Sequence, residues 1–252
     1  MKTVDLNADV GEGFGRYQCG DDEAMLSIVS SANVACGAHA GDPEIMATTF
    51  RIAKERGVAV GAHPGFPDLW GFGRRRIPFT TGEIERLVAY QVGAAMALAV
   101  YSGHRISYVK AHGALANIAE VDRDVADALA RAVRALDPKL IFLGAARSEQ
   151  LRAAEEFHLT SIAEIYADRS YSKDGTLVPR GTPGAVIEDS TVAAARVLKM
   201  IQTGAIITVT GERLPTVIGS ICVHGDSPHA IQTAKRVRAA LENAGVSISA
   251  FS

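Results

Sequence analysis

Short apolar runs alternate along this chain with longer stretches of helical period. The runs are TVDLNADV (3–10), SANVACGAH (31–39), GVAVGAHP (57–64), ISYVKAHG (106–113), KLIFLGAA (139–146), LTSIAEIYAD (159–168) and SICVHGD (220–226). Runs of this length, rich in Val, Ile and Ala and separated by helices, predict βαβ units and a parallel sheet covered on both faces. The helices between them carry legible punctuation. Asp42 and Pro43 supply an N-cap and a first-turn proline, and Gly57 closes that helix. Thr80 or Thr81 opens a long segment to Tyr101, Asp122 and Ser148 are further caps, and Ser227–Pro228 opens a last helix that Gly245 ends. About seven units without a linker predict an α/β fold in one domain over 1–252, and favour a closed or nearly closed barrel over an open doubly wound sheet. One segment breaks the rhythm. Residues 169–187, RSYSKDGTLVPRGTPGAVI, place an Asp174–Gly175 turn and two prolines where a helix should follow, which predicts either a lid over a site or a small surface hairpin.

Side chains two apart on a strand share a face. Asp5, Asn7 and Asp9 therefore point one way and Leu6, Ala8 and Val10 the other, with Glu12 in the loop beyond. The second run ends at His39, the third at His63, and the fourth offers Lys110 and His112 on one face. The sixth carries Glu164, Tyr166 and Asp168 on one face, followed by Arg169, and the last offers His224 and Asp226. In a parallel barrel the loops at the carboxyl ends of the strands converge over the mouth, where chemistry gathers. A single histidine at a strand end is ordinarily a hydrogen-bonded structural group. The same placement repeated on separate strands predicts one shared polar pocket. His104, His158 and His229 lie in polar or helix-edge contexts and read as surface residues.

The chemistry open to that pocket is of two kinds. Neutral imidazoles with a carboxylate hold a divalent metal and lower the pKa of its water to about 7, Asp9, His39 and His63 being the candidate ligands. Alternatively the imidazoles are general acids and bases, titrating near ~6.5 when unperturbed. Lys110 adds a fixed positive charge suited to a carboxylate, a phosphate or an oxyanion. Phosphate signals are weaker. GEGFG (11–15) follows a strand but lacks dinucleotide spacing, and no Walker-type loop is present. Arg74 in the basic loop GFGRRR (71–76) and Arg180 are candidate oxyanion grips; a solvated surface loop is the plain alternative for 71–76.

Composition narrows the classes. At 252 residues and 48% hydrophobic, the chain can bury a large core, and a net charge of −2 makes no electrostatic case for nucleic acid or an anionic membrane. The longest apolar stretch, LVAYQVGAAMALAVY, is interrupted by Gln91 and falls short of the ~20 residues that span a bilayer. A strand pattern beginning at residue 3 predicts no signal peptide, and three cysteines without metal spacing predict a reduced, cytoplasmic protein with Cys36 as a small hydrophobe.

The ordered set DLNADVGE, SSANVACGAHAGD, GVAVGAHPGFPD, VKAHGALAN, ADRSY, LVPR and CVHGD resembles the LamB/YcsF family, the A subunits of prokaryotic 5-oxoprolinase, from about residue 3 to the C-terminus. It departs from the family pattern at Ala38, Ala111 and Ala116, while His39, Lys110 and His112 remain. The resemblance implies a seven-stranded, TIM-like (β/α) barrel related to glycoside hydrolases and carbohydrate deacetylases. It also implies opening of the 5-oxoproline lactam to glutamate with ATP as co-substrate and with B and C partner subunits. On that reading Asp9 or Glu12 orients or deprotonates water, and His39, His63 and His112 stabilise the tetrahedral oxygen or hold a metal. Lys110 neutralises phosphate or the substrate carboxylate. Asn7, Arg74, Asp168, Arg169, Arg180, His224 and Asp226 are then the substrate- or phosphate-binding candidates. Two other readings stand beside it: a metal-dependent deacetylase of an N-acetylated sugar, and a non-catalytic subunit that holds the lactam for a partner.

Overall fold

The computed structural model describes residues 2–251. Its strands are β1 (Thr3–Val10), β2 (Ser31–Ala35), β3 (Ala59–His63), β4 (Ile106–Val109), β5 (Ile141–Ala145), β6 (Ser161–Tyr166), β7 (Ala205–Ile207), β8 (Arg213–Pro215), β9 (Ser220–Val223) and β10 (Ser247–Ile248). β1 to β6 pair in sequence order, all parallel, and β9 closes the ring by pairing with both β6 and β1. The result is the expected seven-stranded barrel. β1 is long enough to serve two neighbours: Asp5–Ala8 lie beside β9, and Thr3 and Val4 beside β10. β7 and β8 form a separate antiparallel hairpin.

The helices are α1 (Asp22–Leu26), α2 (Pro43–Glu55), α3 (Thr81–Tyr101), α4 (Gly113–Ala119), α5 (Arg123–Leu136), α6 (Glu149–Glu156), α7 (Ser190–Thr203) and α8 (Ala230–Asn243). Their starts follow from side chains that satisfy otherwise unpaired backbone N–H groups. The Asp42 carboxylate accepts from the N–H groups of Glu44 and Ile45, with Pro43 in the first turn, and Asp122 accepts from Asp124 and Val125. Thr80 and Glu83 cap each other reciprocally at the head of α3. One expected cap makes no capping bond, and one expected start differs. Ser148 stands at the cap of α6, but its hydroxyl donates to the Ala145 carbonyl at 2.6 Å. α8 begins at Ala230, not at Ser227–Pro228, because those residues belong to a turn carrying Asp226 across the barrel mouth to Arg74. α7, capped by Asp189, and the β7–β8 hairpin had no distinct sequence signal in the run pattern.

The main apolar core lies between barrel and helices. Leu6, Ala8 and Val10 pack there with Val34, Val60, Phe142, Ile165 and Ile221, under Phe50 of α2, Val88 of α3, Leu129 of α5 and Leu241 of α8. Full burial of each large side chain contributes ~1.5–3 kcal/mol. The barrel interior is polar instead. Asp5 accepts from the hydroxyls of Ser30, Ser31 and Ser220. Asn7 donates to Glu164 at 2.7 Å and Ser220 at 2.8 Å, Asn33 donates to Asn7 and Asp9, and the Tyr108 hydroxyl donates to Asn33 at 2.7 Å. Satisfied in this way, buried polar groups lock neighbouring strands to one another. Gly61 makes room for the ring: a Cβ there would lie 2.2 Å from Tyr108 Cε2. Phe251 packs edge-on to Tyr108 at 5.1 Å, bringing the C-terminal segment against the amino end of the barrel. Among the described residues no helix is long and apolar enough to cross a membrane. Gln91, the polar break in α3, is fully buried and exchanges two hydrogen bonds with the backbone of Gly65.

Candidate active site

A cavity of about 560 Å³ opens at the carboxyl ends of the strands. Asp9, His63, Lys110 and His112 reach it from β1, β3 and the segment after β4; Arg74, Arg169, Arg180 and His224 line its walls. The irregular segment is a short hairpin, bridged at Arg169–Val186 and Tyr171–Leu177, whose Asp174, Thr176, Leu177, Pro179 and Arg180 form one side of the cavity. The hairpin expected around Asp174–Gly175 is present, and it walls the site. A wider groove of about 950 Å³ lies at the strands' amino ends among Lys54, Arg56, His104 and Arg238, away from the converging imidazoles.

Lys110 Nζ is the electrostatic centre. It lies 3.0 Å from Asp9 Oδ1, 3.2 Å from Glu164 Oε2 and 3.0 Å from Cys222 Sγ, with 5% of its side chain exposed. Burial opposes the ammonium, but Asp9, Cys222 and Glu164 reverse this and hold its pKa well above the ordinary lysine value. Burial likewise opposes the Asp9 carboxylate, yet Lys110 and then His63 hold it well below the usual range. Asp9 is therefore an ionised carboxylate at neutral pH. Asp9, Cys222 and His224 present ligand atoms within 4.8 Å of one another, but the Lys110 ammonium already sits between two of them.

Beside this pair lies a denser cluster. Glu12, His39, His63 and His112 are buried and present atoms within 4.8 Å of one another. His39 and His112 stack with centroids 3.6 Å apart, and His63 meets both edge-on. Glu12 Oε1 lies 3.2 Å from His39 Nε2 and 3.4 Å from His112 Nδ1. Burial, then Asp9 and Asp226, push the Glu12 carboxyl well above its ordinary value; burial, then the neighbouring imidazoles, push His39 and His112 well below theirs. A carboxyl and three imidazoles buried together are a donor set that fits a divalent cation, whose binding displaces the carboxyl proton. Gly73 makes the cluster possible. Its φ is +63°, and a Cβ there would lie 2.7 Å from His39 Cβ and 2.9 Å from His112 Cδ2.

On the far wall His224 Nδ1 donates to both oxygens of Asp168, at 2.8 and 3.0 Å, leaving Nε2 as the ring's other functional atom. Burial opposes the Asp168 charge, but His224 and the hydrogen bond to it keep that carboxyl below its ordinary value. Tyr166 stacks on His224 at 5.6 Å. Arg74 Nη2 donates to Asp226 Oδ2 at 2.6 Å, so the basic loop 71–76 enters the site through one arginine while Arg75 turns aside to Asp68. Arg169 donates to the Val178 carbonyl at 2.7 Å and braces the hairpin.

The structure brings ten of the thirteen nominated residues to the cavity or the cluster beside it, and Asp168 and Asp226 stand behind two of these, bonded to His224 and Arg74. Asn7 differs: it is 0% exposed and bonded wholly within the barrel network, one layer below. His39 lies four residues past β2 rather than on it, and His112 heads α4 rather than ending β4. Cys222 and Glu120 were missed. Cys222 shares the inward face with His224 two residues on, a period-two signal the sequence did offer; Glu120 ends α4 and carried none. Burial pushes Glu120 to about 7, with Asp174 adding to the rise. Cys36 is a buried hydrophobe near Val34, as expected. His158 and His229 are exposed, while His104 is half-buried and bonded to the Val58 carbonyl.

The sequence matches the LamB/YcsF family over residues 4–252. The chain belongs to that family. Among its relatives, the 5-oxoprolinase A subunit of Azorhizobium caulinodans is 62% identical over 251 residues, covering 100% of this chain and 99% of that one. The crystal structure of the lactam utilization protein of Thermus thermophilus superposes with a TM-score of 0.93 at 42% identity, covering 99% of this chain and 100% of the other. The catalytic domain of a peptidoglycan N-acetylglucosamine deacetylase from Eubacterium rectale reaches a TM-score of 0.53 at 10% identity, over 100% of this chain and 89% of that one, which is a likeness of fold alone.

Proposed function

We propose that this chain is the lactam-opening subunit of a multi-subunit, ATP-dependent 5-oxoprolinase. The relatives named as 5-oxoprolinase A subunits support the assembly. The observation that carries the chemistry is the buried Asp9–Lys110 pair at the floor of a cavity walled by three arginines.

5-Oxoproline has one carboxylate and a lactam amide that resists attack. In the proposed sequence the lactam oxygen first takes the γ-phosphoryl group of ATP, releasing ADP, on a partner subunit; this chain carries no Walker-type loop. Asp9, ionised and beside the cavity, takes a proton from water as that water attacks the activated ring carbon. Lys110 and the arginine wall neutralise phosphate and carboxylate charge in a water-poor site. The C–N bond then breaks, and the ring nitrogen takes the Nε2 proton of His224 in its imidazolium form, which Asp168 stabilises through Nδ1. The resulting acyl phosphate is hydrolysed by a second water to glutamate and phosphate. A divalent ion held by the Glu12 and histidine cluster would act as a Lewis acid beside these groups.

One observation favours a second reading. The imidazole–carboxylate cluster also suits amide hydrolysis that needs no nucleotide, as in a deacetylase. The deciding experiment combines the chain with its B and C subunits, 5-oxoproline and ATP, and measures glutamate. Glutamate that depends on both ATP and this chain, and is lost in Asp9→Asn, is the expected result. No glutamate from the complete mixture removes the proposal, and turnover of an N-acetylated sugar without nucleotide replaces it.

A further inference from the structure

The imidazoles of His63 and His112 are oriented by backbone carbonyls, and carbonyls only accept. His63 Nδ1 lies 2.8 Å from the Lys110 carbonyl and His112 Nε2 lies 2.7 Å from the Phe72 carbonyl, so each of these nitrogens carries a hydrogen and donates it. In the neutral rings the lone pairs then fall on His63 Nε2 and His112 Nδ1. Those two atoms face each other at 3.0 Å. Glu12 Oε1 stands 3.4 Å from His112 Nδ1, and His39 Nε2 is 3.2 Å from the same oxygen. Two ring acceptors therefore face each other with no hydrogen between them, and Glu12 Oε1 and His39 Nε2 stand beside the pair. His39 Nδ1, buried, has no hydrogen-bond partner among the described residues.

Such an arrangement is repulsive unless a cation fills it. One proton relieves one acceptor pair; an ion relieves the whole set. Histidines that ligate metals characteristically give their second ring N–H to a backbone carbonyl or carboxylate, the disposition of both His63 and His112 here. Donors about 2.0–2.1 Å from a tetrahedral ion stand ~3.3 Å apart, close to the 3.0, 3.2 and 3.4 Å separations present.

We infer that Glu12, His39, His63 and His112 bind one divalent transition-metal ion, and that Asp9 is not among its ligands. Three nitrogen donors to one oxygen select a zinc-like ion over magnesium or calcium, which prefer all-oxygen shells. Asp9 is excluded because its Oδ1 is already shared by Lys110 Nζ at 3.0 Å and Asn33 Nδ2 at 2.8 Å, while His63 Nε2 is farther, at 3.5 Å. The ligand set thus departs from the one that sequence spacing nominated, dropping Asp9 and adding Glu12 and His112. Metal binding follows from these side chains alone; only the ion's catalytic use rests on the lactam-opening reading.

The test is uptake of Co²⁺ and Zn²⁺ by the full chain stripped with chelator. The expected result is one equivalent per chain, with the strong visible bands of a Co²⁺ ion in a four- or five-coordinate site. Loss of an outer-shell partner costs ~10–100-fold in affinity, so His63→Ala and His112→Ala should each cost more than ~100-fold. Asp9→Asn should keep full stoichiometry. A wild-type chain that is folded by circular dichroism yet takes up neither ion overturns the site, as does unchanged affinity in His63→Ala. Loss of the ion in Asp9→Asn overturns the ligand set. The two proposals separate cleanly: glutamate made by a metal-free complex removes only the ion's catalytic use and spares the lactam reading, whereas one bound ion in a complex that makes no glutamate removes the lactam reading and spares the site.

Discussion

Asp9 Oδ1 sits 3.0 Å from Lys110 Nζ, and each side chain is 5% exposed. The pair is not symmetric, because Lys110 also has Glu164 at 3.2 Å, whereas among the described residues Asp9 has no second cation so close. Lys110→Ala leaves two buried carboxylates facing each other and should cost about 3–5 kcal/mol. Asp9→Asn leaves the ammonium paired with Glu164 and should cost clearly less. Urea midpoints of the two variants check this; an equal or reversed order would mean that Glu164 does not share the charge.

A pH effect on stability should trace to Asp5. Burial raises this carboxyl to about 6, against the hydroxyl hydrogen bonds of Ser220, Ser30 and Ser31, which lower it. Because the folded value lies above the unfolded one, the native state binds the extra proton between about pH 4 and 6. Stability linked to Asp5 is full below that window and is lost as pH rises through it. A two-unit shift corresponds to about 3 kcal/mol. Asp5→Asn should remove this decline, so the wild-type-minus-variant difference in unfolding free energy should fall from pH 4 to 6. Parallel curves would place the Asp5 carboxyl at its ordinary value.

The two imidazoles under Gly73 should respond to a single methyl group. With φ at +63° and a Cβ that would meet His39 and His112 below 3.0 Å, Gly73→Ala is strained in both backbone and packing. A loss of about 1–3 kcal/mol is expected from the backbone strain. Activity of the complex should fall well beyond what the remaining folded fraction explains. Activity that tracks folded fraction alone would show that the loop tolerates displacement.

Arg180 is the cation left for substrate. Arg74 pairs with Asp226 and Arg169 braces the hairpin, while no hydrogen bond or ion pair holds Arg180 among the described residues. Arg180→Gln should therefore leave the melting temperature unchanged. Loss of one charged hydrogen bond of ~1.5–3 kcal/mol predicts a ~10–100-fold rise in KM for 5-oxoproline. An unchanged KM would move carboxylate recognition to Lys110 or Arg74.

Much of this architecture was legible before any coordinates. Seven apolar runs became the seven barrel strands, and alternation along β1 put Asp5, Asn7 and Asp9 on the inward face. The caps Asp42, Thr80 and Asp122 read correctly because they act within three residues of themselves. Ser227–Pro228 misread as a helix start because a contact from Asp226 to Arg74, 152 residues away, governs that turn.

Local chemistry thus determined the periodicity, the inward faces and the list of reactive side chains, since each depends on residues near one another in the chain. Closure of the barrel decided the rest. It made Glu164 a second partner for Lys110, drew Asn7 into the interior, and brought His63 Nε2 within 3.0 Å of His112 Nδ1. Which acceptor a nitrogen meets depends on distances of a few ångströms between strands dozens of residues apart, and no local pattern encodes those distances.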